Sequence, residues 1–507
     1  MAYRVLAWFL RVVTRVFFRQ IEVAGLEHVP ATGPVLFAGN HPNSLIDPIL
    51  IITTCGRKVH FAAKDTLFKG RLLRAVLRGL GAVPIKRRDD RDGKPSEASS
   101  PERAAAPRPV DNDAAFEAMF AVLDDGGVIG IFPEGLSHDE SHLSRLKTGA
   151  ARLAIGGAAR THLAIAIVPC GLTFIHPKRF RSRVLVQYGP PIVIAPTRAN
   201  TPEEVHVVTD EIESRIRRLT INAPDWDTVR ALDVVRRLYQ PQEISIEDRV
   251  ELARRFNTYY AAVATDPRVI SIMGRVRSYQ SKLDELGITD RELARDLSKL
   301  EVTVRVLRHL LLIVFWLPLT APAAAFHLPP LVFARFASPR LTPRKDVIAT
   351  TKLLIGLMLV LLAYAATVSV LWWRWGFGWA LVATVVLPAS GWATLRVLDR
   401  VRLVRRGIGV LIRRLRFRRE VHSLRREREQ LAADVIATVD AVKPAHLASL
   451  FPPDDPRRED ADAMVLNPPG LSVTGGSATG GSATEESSRA RKNADLDAEL
   501  DKDEEGA

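Results

Sequence analysis

Residues 35–48 read VLFAGNHPNSLIDP: an apolar run, a glycine, then His41 and, six positions on, Asp47. Val35 to Ala38, bounded by Pro34 and Gly39, has the length and punctuation of a buried strand, which puts His41 in a loop at a strand end. Pro48 biases Asp47 away from helical backbone, so an extended or turn geometry is expected to bring carboxylate and imidazole together. A carboxylate on one ring nitrogen fixes the tautomer and stabilises the cation, leaving the other nitrogen to take a proton from a hydroxyl near neutral pH. The plainer alternative is a loop whose Asn43 or Ser44 caps a helix beside an incidental histidine.

Outward from this stretch, short apolar runs alternate with helical periodicity, the pattern of an α/β domain over residues 21–225. Strands are expected at Ile21–Val23, Val35–Ala38, Val59–Ala62, Ala82–Ile85, Val128–Phe132, Ala164–Cys170 and Val184–Gln187. Helices are expected at Leu45–Thr53, Gly70–Leu80, Asp113–Asp124, Thr148–Ala158 and Pro202–Leu219. Residues 88–110, rich in Asp, Arg, Ser, Ala and Pro, read as a disordered insertion. Ahead of the domain, residues 1–20 form an amphipathic helix whose Arg4, Arg11, Arg15 and Arg19 share one arc, with Trp8, Phe9, Val12, Val13, Val16 and Phe17 on the rest. That suits an interfacial helix lying in a membrane surface, a core helix with a basic edge being the alternative.

The 507 residues carry a net charge of +14 with 47% hydrophobic residues, an unusual pairing for one soluble domain. The apolar excess lies in a membrane region, 306–398, whose long segments are Leu310–Phe326, Leu353–Trp373 and Phe377–Leu395. Basic clusters flank the first segment and follow the last, whereas the turn between the last two holds only Arg374. Positive charge stays cytoplasmic, so the proline-broken first segment is expected to be re-entrant and the other two a hairpin. Residues 226–305 read as a helical connector. Residues 399–450 read as a basic helical region, with 396–428 suited to lying on anionic lipid, and 451–507 as a disordered Gly/Ser/Asp/Glu tail. The basicity points to a phospholipid membrane and not to nucleic acid, because no stacking aromatics or recognition fold accompany it. Two cysteines, Cys55 and Cys170, form no disulfide framework or metal cluster, and a reducing, cytosol-facing location follows.

Three further blocks fall at expected strand ends. GAVPIKR, 81–87, delivers Lys86 and Arg87 into a loop that can cradle a phosphate, although such a pair is also an ordinary solvated edge. FPEGLSHDESH, 132–142, places Glu134 and Gly135 on a proline turn able to orient an acceptor's hydroxyls, with Ser137 beyond; Lys147 opens a helix, a setting that favours anions. IVPCG, 167–171, is an apolar strand interrupted by Pro169 that can border a greasy channel. His138, Asp139, Glu140 and His142 crowd one loop, which favours a structural or acceptor-side role over a metal.

In this order the blocks resemble those of the glycerolipid acyltransferase family over roughly the first 225 residues, with FPEG and the His/Asp block the specific ones. The resemblance implies an α/β acyltransferase domain with an N-terminal interfacial helix, a C-terminal helical membrane region and a disordered tail. It implies that His41 is the general base and Asp47 its orienting partner. Arg87 binds the acceptor phosphate, helped by Glu134 and Gly135, and Pro169 belongs to the acyl-donor side. Five residues separate His41 from Asp47 where the family commonly has four, and Ser137 stands where arginine is common. Both departures are similar to the subgroup that acylates glycerol 3-phosphate or dihydroxyacetone phosphate. The expected protein is an integral membrane enzyme of the bacterial inner membrane or endoplasmic reticulum, its catalytic domain on the cytoplasmic face. It moves an acyl group from an acyl thioester, acyl-CoA or acyl carrier protein, to a glycerol-phosphate acceptor without a cofactor. A thioester is already activated, so no covalent nucleophile is needed, and no G-x-S-x-G elbow is found. Acylation of lysophosphatidate, or a catalytically silent lipid-binding scaffold, are the alternatives.

Overall fold

The structure, a computed structural model, describes residues 2–85, 113–239, 246–294, 299–342 and 344–442. Lys86, Arg87, the 88–110 insertion and the 451–507 tail lie outside the described residues. The chain forms two compact units: one takes the residues up to Asn222 together with Phe336–Leu354, the other takes the remainder.

In the first unit the strands are β1 (Gln20–Ala24), β2 (Val35–Gly39), β3 (Val59–Lys64), β4 (Val83–Ile85), β5 (Val128–Ile131), β6 (Ile165–Phe174), β7 (Arg183–Tyr188) and β8 (Ile192–Ile194). They make one sheet in the order β1-β7-β6-β2-β5-β3-β4, with β8 added beside β6. All pairs are parallel except β6 with β7 and with β8. A parallel sheet is covered on both faces, so its central strand is apolar throughout, and every residue of β2 is buried. Leu36 and Ala38 join Ile129, Ile165 and Ile167 in a core built with α4 (Asp113–Asp124), α5 (Gly149–Thr161) and α6 (Pro202–Leu219). Phe37, one residue out of phase, meets the Tyr188 ring instead, as a period of two requires.

One expectation about this sheet is corrected, and one strand is added. β6 is not interrupted at Pro169, which pairs with Ala38 inside a ten-residue strand. On its other edge the partner changes from β8, at Ile167 with Ile192, to β7, at Cys170 with Tyr188. The Pro169 carbonyl accepts the Gly189 N–H on that edge, so the missing proline N–H falls at the changeover and costs no ladder bond. β8, only three residues long, has too short a pattern to be read from sequence.

The remaining helices of this unit are α1 (Ala2–Phe17), α2 (Ile46–Thr54) and α3 (Arg71–Gly79). α1 buries Ala7, Leu10, Val13 and Phe17, and Arg11 donates to the Thr53 carbonyl at the end of α2. Its other face leaves Val5, Trp8, Val12 and Val16 exposed among Arg4, Arg11 and Arg15. The helix is thus a core helix on one side and an apolar, basic surface on the other.

The second unit holds α7 (Trp226–Tyr239), α8 (Ile246–Val263), α9 (Pro267–Leu286), α10 (Asp290–Ala294), most of α11 (Lys299–Leu341) and of α12 (Ile348–Trp375), then α13 (Phe377–Arg416) and α14 (Arg418–Val442). Residues 226–305 are more than a connector: Leu232, Val235, Leu252, Val276 and Tyr279 form a hydrophobic core. α14 completes it with Leu424, Leu431 and Val435. Arg428 of that helix donates to Asp290 at 2.8 Å, and the Tyr279 hydroxyl donates to the same oxygen. The apolar stripe of α14 is therefore spent on protein from residue 424 onward, so the last few residues of the 396–428 stretch expected to lie on lipid face protein instead. The helices Lys345–Trp375 and Phe377–Arg405 are long and apolar enough to cross a membrane. They break at Gly376, whose φ of 88° suits glycine. The first apolar segment lies within α11, which is bent by 99° between Ala321 and Ala324.

Candidate active site

Parallel registry assembles the site. Ala38 pairs with Ile131 across β2 and β5, so three residues beyond that pair His41 and Glu134 stand level. Such sites form at the carboxyl ends of parallel strands, where loops diverge and backbone groups are left to bind. His41 Nδ1 lies 2.8 Å from Asp47 Oδ2, and the Asn43 N–H donates to the same oxygen at 2.7 Å. The oxygen accepts two N–H donors, so Nδ1 carries the proton and Nε2 is the basic nitrogen. Among the described residues Nε2 has no partner, and the imidazole is 11% exposed. Asp47 is completely buried. That burial pushes its carboxyl up from the ordinary range, while the bonds from His41 and Asn43 pull it back down.

The five-residue spacing does not separate the pair. Ser44 takes a left-handed φ of 53°, and the turn closes with Ile46 N–H on Asn43 O and Asp47 N–H on Ser44 O. Asp47 is not extended, as Pro48 had suggested, but lies in the first turn of α2. A proline in a first turn removes an N–H that has no helical acceptor, so the helix tolerates it and overrides the bias on the preceding residue. Nor do Asn43 or Ser44 cap α2, whose N-cap is Leu45 without a side-chain bond. Asn43 instead ties the loop to the Pro177 carbonyl through Nδ2.

Glu134 is 4% exposed and turned inward. One oxygen accepts the His41 N–H at 2.7 Å; the other accepts the Ser144 N–H at 3.0 Å and meets His138 Nε2. The Glu134 hydrogen bond raises the His138 pKa above its ordinary value. Both Glu134 oxygens thereby hold the loop that carries His41 and the 138–144 segment, and the residue that the resemblance places among the acceptor-binding groups stands beside His41. Gly135, at φ 82°, turns the chain under the Lys147 side chain, whose Nζ would stand 2.6 Å from a β-carbon there. Lys147 itself is exposed, just ahead of α5. Ser137 is buried, and its hydroxyl donates to Asp346, 209 residues away. Asp139 pairs with Lys178 at 2.7 Å. Pro169 lies in β6, one strand over from His41.

Several contributors were not anticipated. The Phe132 ring stacks on His41 with centroids 4.1 Å apart and 8° between planes, and Phe61 stacks on Phe132 in turn. Gly130 makes room for this: a β-carbon there would fall 2.2 Å from the Phe61 ring. Asn40 clamps Leu172 through both its N–H and its carbonyl, pinning the end of β2 to β6. The aromatic in the FPEG block was visible in the sequence, but its stacking partner was not. No group of three or more His, Cys, Asp or Glu among the described residues is arranged to hold a metal.

Residues 20–173 match the acyltransferase family model, and residues 231–447 match the glycerol-3-phosphate acyltransferase 2 C-terminal domain. Glycerol-3-phosphate O-acyltransferase 2 of Saccharomyces cerevisiae is 26% identical over 73% of this chain and 65% of its own length. Glycerol-3-phosphate O-acyltransferase 1 of the same yeast is 25% identical over 71% of this chain and 60% of its own. An uncharacterised acyltransferase of Schizosaccharomyces pombe is 24% identical over 89% and 82%. This chain spans less than two thirds of the length of either Saccharomyces protein. With the His41–Asp47 pair and the FPEG turn inside the first matched region, residues 20–173 carry an acyltransferase domain, followed over residues 231–447 by a C-terminal domain of the glycerol-3-phosphate acyltransferase 2 kind.

Proposed function

We propose that this chain transfers an acyl group from an acyl thioester to a hydroxyl of glycerol 3-phosphate or dihydroxyacetone phosphate. The observation that carries the reading is the base: a histidine with Nδ1 held by a buried carboxylate and Nε2 open. Nε2 takes the hydroxyl proton as the oxygen attacks the thioester carbonyl, and Asp47 stabilises the imidazolium. When the tetrahedral adduct collapses, the carbon–sulfur bond breaks and the thiolate leaves with that proton. The names of the two Saccharomyces relatives support the acceptor class. Lys147, exposed and with no side-chain hydrogen bond among the described residues, sits beside the FPEG turn, tied to it by its N–H on the Pro133 carbonyl, and can meet an acceptor phosphate there, with Arg87 as the expected second cation. The test offers glycerol 3-phosphate, dihydroxyacetone phosphate and lysophosphatidate in parallel, with acyl-CoA, to membranes carrying the protein. Turnover of lysophosphatidate alone would replace this acceptor with the acylated one; turnover of none would remove the enzyme reading.

The apolar helices support a membrane setting, with the basic flanks on the cytoplasmic side of a hairpin and the α11 segment re-entrant. Trp372, Trp373, Trp375 and Trp379, all exposed around Arg374, make an aromatic belt suited to the far interface. Ser338 is fully buried and unsuited to a thiol probe, so Leu341→Cys, 65% exposed in the parent, and Phe377→Cys, 66% exposed, report the two sides. An impermeant reagent should label only Phe377→Cys; labelling of Leu341→Cys would make the bent segment a true crossing.

A further inference from the structure

Between Glu301 and Asp399 the chain contains a single acidic residue, Asp346. It lies at the entrance of an apolar helix, amid Arg340, Arg344 and Lys345, where a carboxylate is out of place unless something uses it. It is 6% exposed and belongs to the same compact unit as the acyltransferase sheet. Asp346 Oδ2 accepts the Ser137 hydroxyl at 2.5 Å and Arg344 Nη2 at 2.7 Å, and Arg344 Nε approaches Oδ1 at 3.2 Å. Arg344 Nη2 also reaches the Ser137 carbonyl at 2.8 Å. Two further bonds follow along the same segment. The Thr350 hydroxyl donates to the Asn43 carbonyl at 3.3 Å, and Lys352 Nζ donates to the Lys178 carbonyl at 2.6 Å.

We propose that residues 344–352 are a strap of the active site, and that Asp346 is a positioning residue for the His41–Asp47 pair. The strap grips both sides of the dyad. At one end Ser137 precedes His138, whose N–H donates to the His41 carbonyl and whose ring meets Glu134, the acceptor of the His41 N–H. At the other end Asn43, held through its carbonyl, donates its N–H to Asp47 Oδ2. A buried carboxylate bonded in fork fashion by arginine and by a hydroxyl is stiff, and its bonds are stronger than neutral ones. The strap lies in the region matched by the C-terminal domain, whereas the dyad and the FPEG turn lie in the region matched by the catalytic model. The base is therefore completed by a segment outside the catalytic match, which gives the C-terminal region a part in the chemistry.

The turnover arm of the test rests on the proposed function, so it is paired with a readout that does not. Full-length wild type, Ser137→Ala, Asp346→Ala, Thr350→Val and the Ser137→Ala/Asp346→Ala double variant are compared in membranes. Hydrogen exchange over residues 39–47 and 132–139 should quicken in Asp346→Ala and in Ser137→Ala, while exchange in the 231–293 helices stays as in wild type. Misplacing a base by an ångström can cost about a hundredfold, so kcat should fall about ten- to a hundredfold in Asp346→Ala with both KM values nearly unchanged. The double variant should be no worse than the poorer single one, because the two residues share one contact. Unchanged exchange at both loops overturns the strap, as does a double variant whose losses multiply. Quickened exchange with wild-type kcat removes the positioning role. If Asp346→Ala does not fold, Asp346→Asn, which keeps the shape and weakens the bonds, decides by the same measures. A wild type that acylates none of the acceptors defeats the proposed function and leaves the exchange result standing for the strap.

Discussion

The acyltransferase sheet hides its large apolar side chains, whereas the apolar helices leave many of theirs exposed. In the sheet and its covering helices Leu36, Leu50, Ile129 and Leu153 are wholly hidden, and polar groups are buried where the site needs them, at His41, Asp47 and Glu134. In the apolar helices Phe315, Leu362, Trp373 and Val385 stand more than half exposed. The hidden side chains there include His327, Ser390, Thr394 and Asp399. The His327 imidazole meets the Tyr364 hydroxyl at 2.6 Å, and that hydroxyl donates to the Leu387 carbonyl, so one polar cluster joins three helices. Gly391 allows the approach, since a β-carbon there would fall 2.9 Å from the hydroxyl. The inversion teaches which solvent each part was built for: water drives apolar atoms inward, while hydrocarbon leaves them outside and makes unpaired polar groups the expensive ones.

The comparison breaks most severely at the base. His41→Ala should lower kcat by about 10²–10⁴-fold, the usual worth of a general base, without releasing the protein from membranes. Turnover and carbonate extraction measured on the same preparation check both halves, and near-normal turnover would take His41 out of the mechanism. Next in size is Leu362→Arg, at an exposed position in α12. A cation at the centre of a spanning helix costs about 2.5–3.5 kcal/mol on insertion scales, so a glycosylation-reporter assay should show a large loss of insertion. An unchanged inserted fraction would mean that this exposed face meets water.

The third test sharpens the polar side. Glu134 raises the His138 pKa, so their pairing adds stability that is complete below about 6.5, the value in the unfolded chain. That stability is lost as the pH climbs through the raised value of the folded chain. His60, whose pKa is lowered chiefly by burial, contributes in the opposite direction, and only the difference between variants isolates the pair. Melting followed upward from pH 6 should show the gap between wild type and Glu134→Gln narrowing. A constant gap of about 1–3 kcal/mol, the cost of leaving a buried N–H unpaired, would assign the loss to hydrogen bonding alone. Smallest is Tyr364→Phe, which deletes the hydroxyl that joins His327 to Leu387. Interhelical hydrogen bonds in membranes average about 0.6 kcal/mol, and a small change in unfolding free energy in detergent is expected. A loss several times larger would make the cluster a principal fastening of these helices.

Much of the fold was legible because its signals are local. Pro34 and Gly39 bracket β2, Thr201 and Pro202 open α6, and the uninterrupted apolar runs around 350–395 are too long for an ordinary core. The His/Asp and FPEG blocks sit at strand ends, so the parallel registry follows from the chain's own alternation of strands and helices, and with it the meeting of His41 and Glu134. Local rules failed where two of them competed. Pro48 disfavours helix at Asp47 and is itself welcome in a first turn, and packing of α2 decided between them. The core shared by α7, α9 and α14, and the strap at Asp346, were beyond such reading. Periodicity tells which face of a segment is buried but not against what, and loop closure between Ser137 and Asp346 leaves no trace in either segment's pattern. By itself the sequence determined the meeting of His41 with Asp47, the α/β scaffold and the apolar helices. Only the tertiary structure decided which distant carboxylate accepts the Ser137 hydroxyl, because that choice rests on a contact spanning 209 residues and on no local preference of either partner.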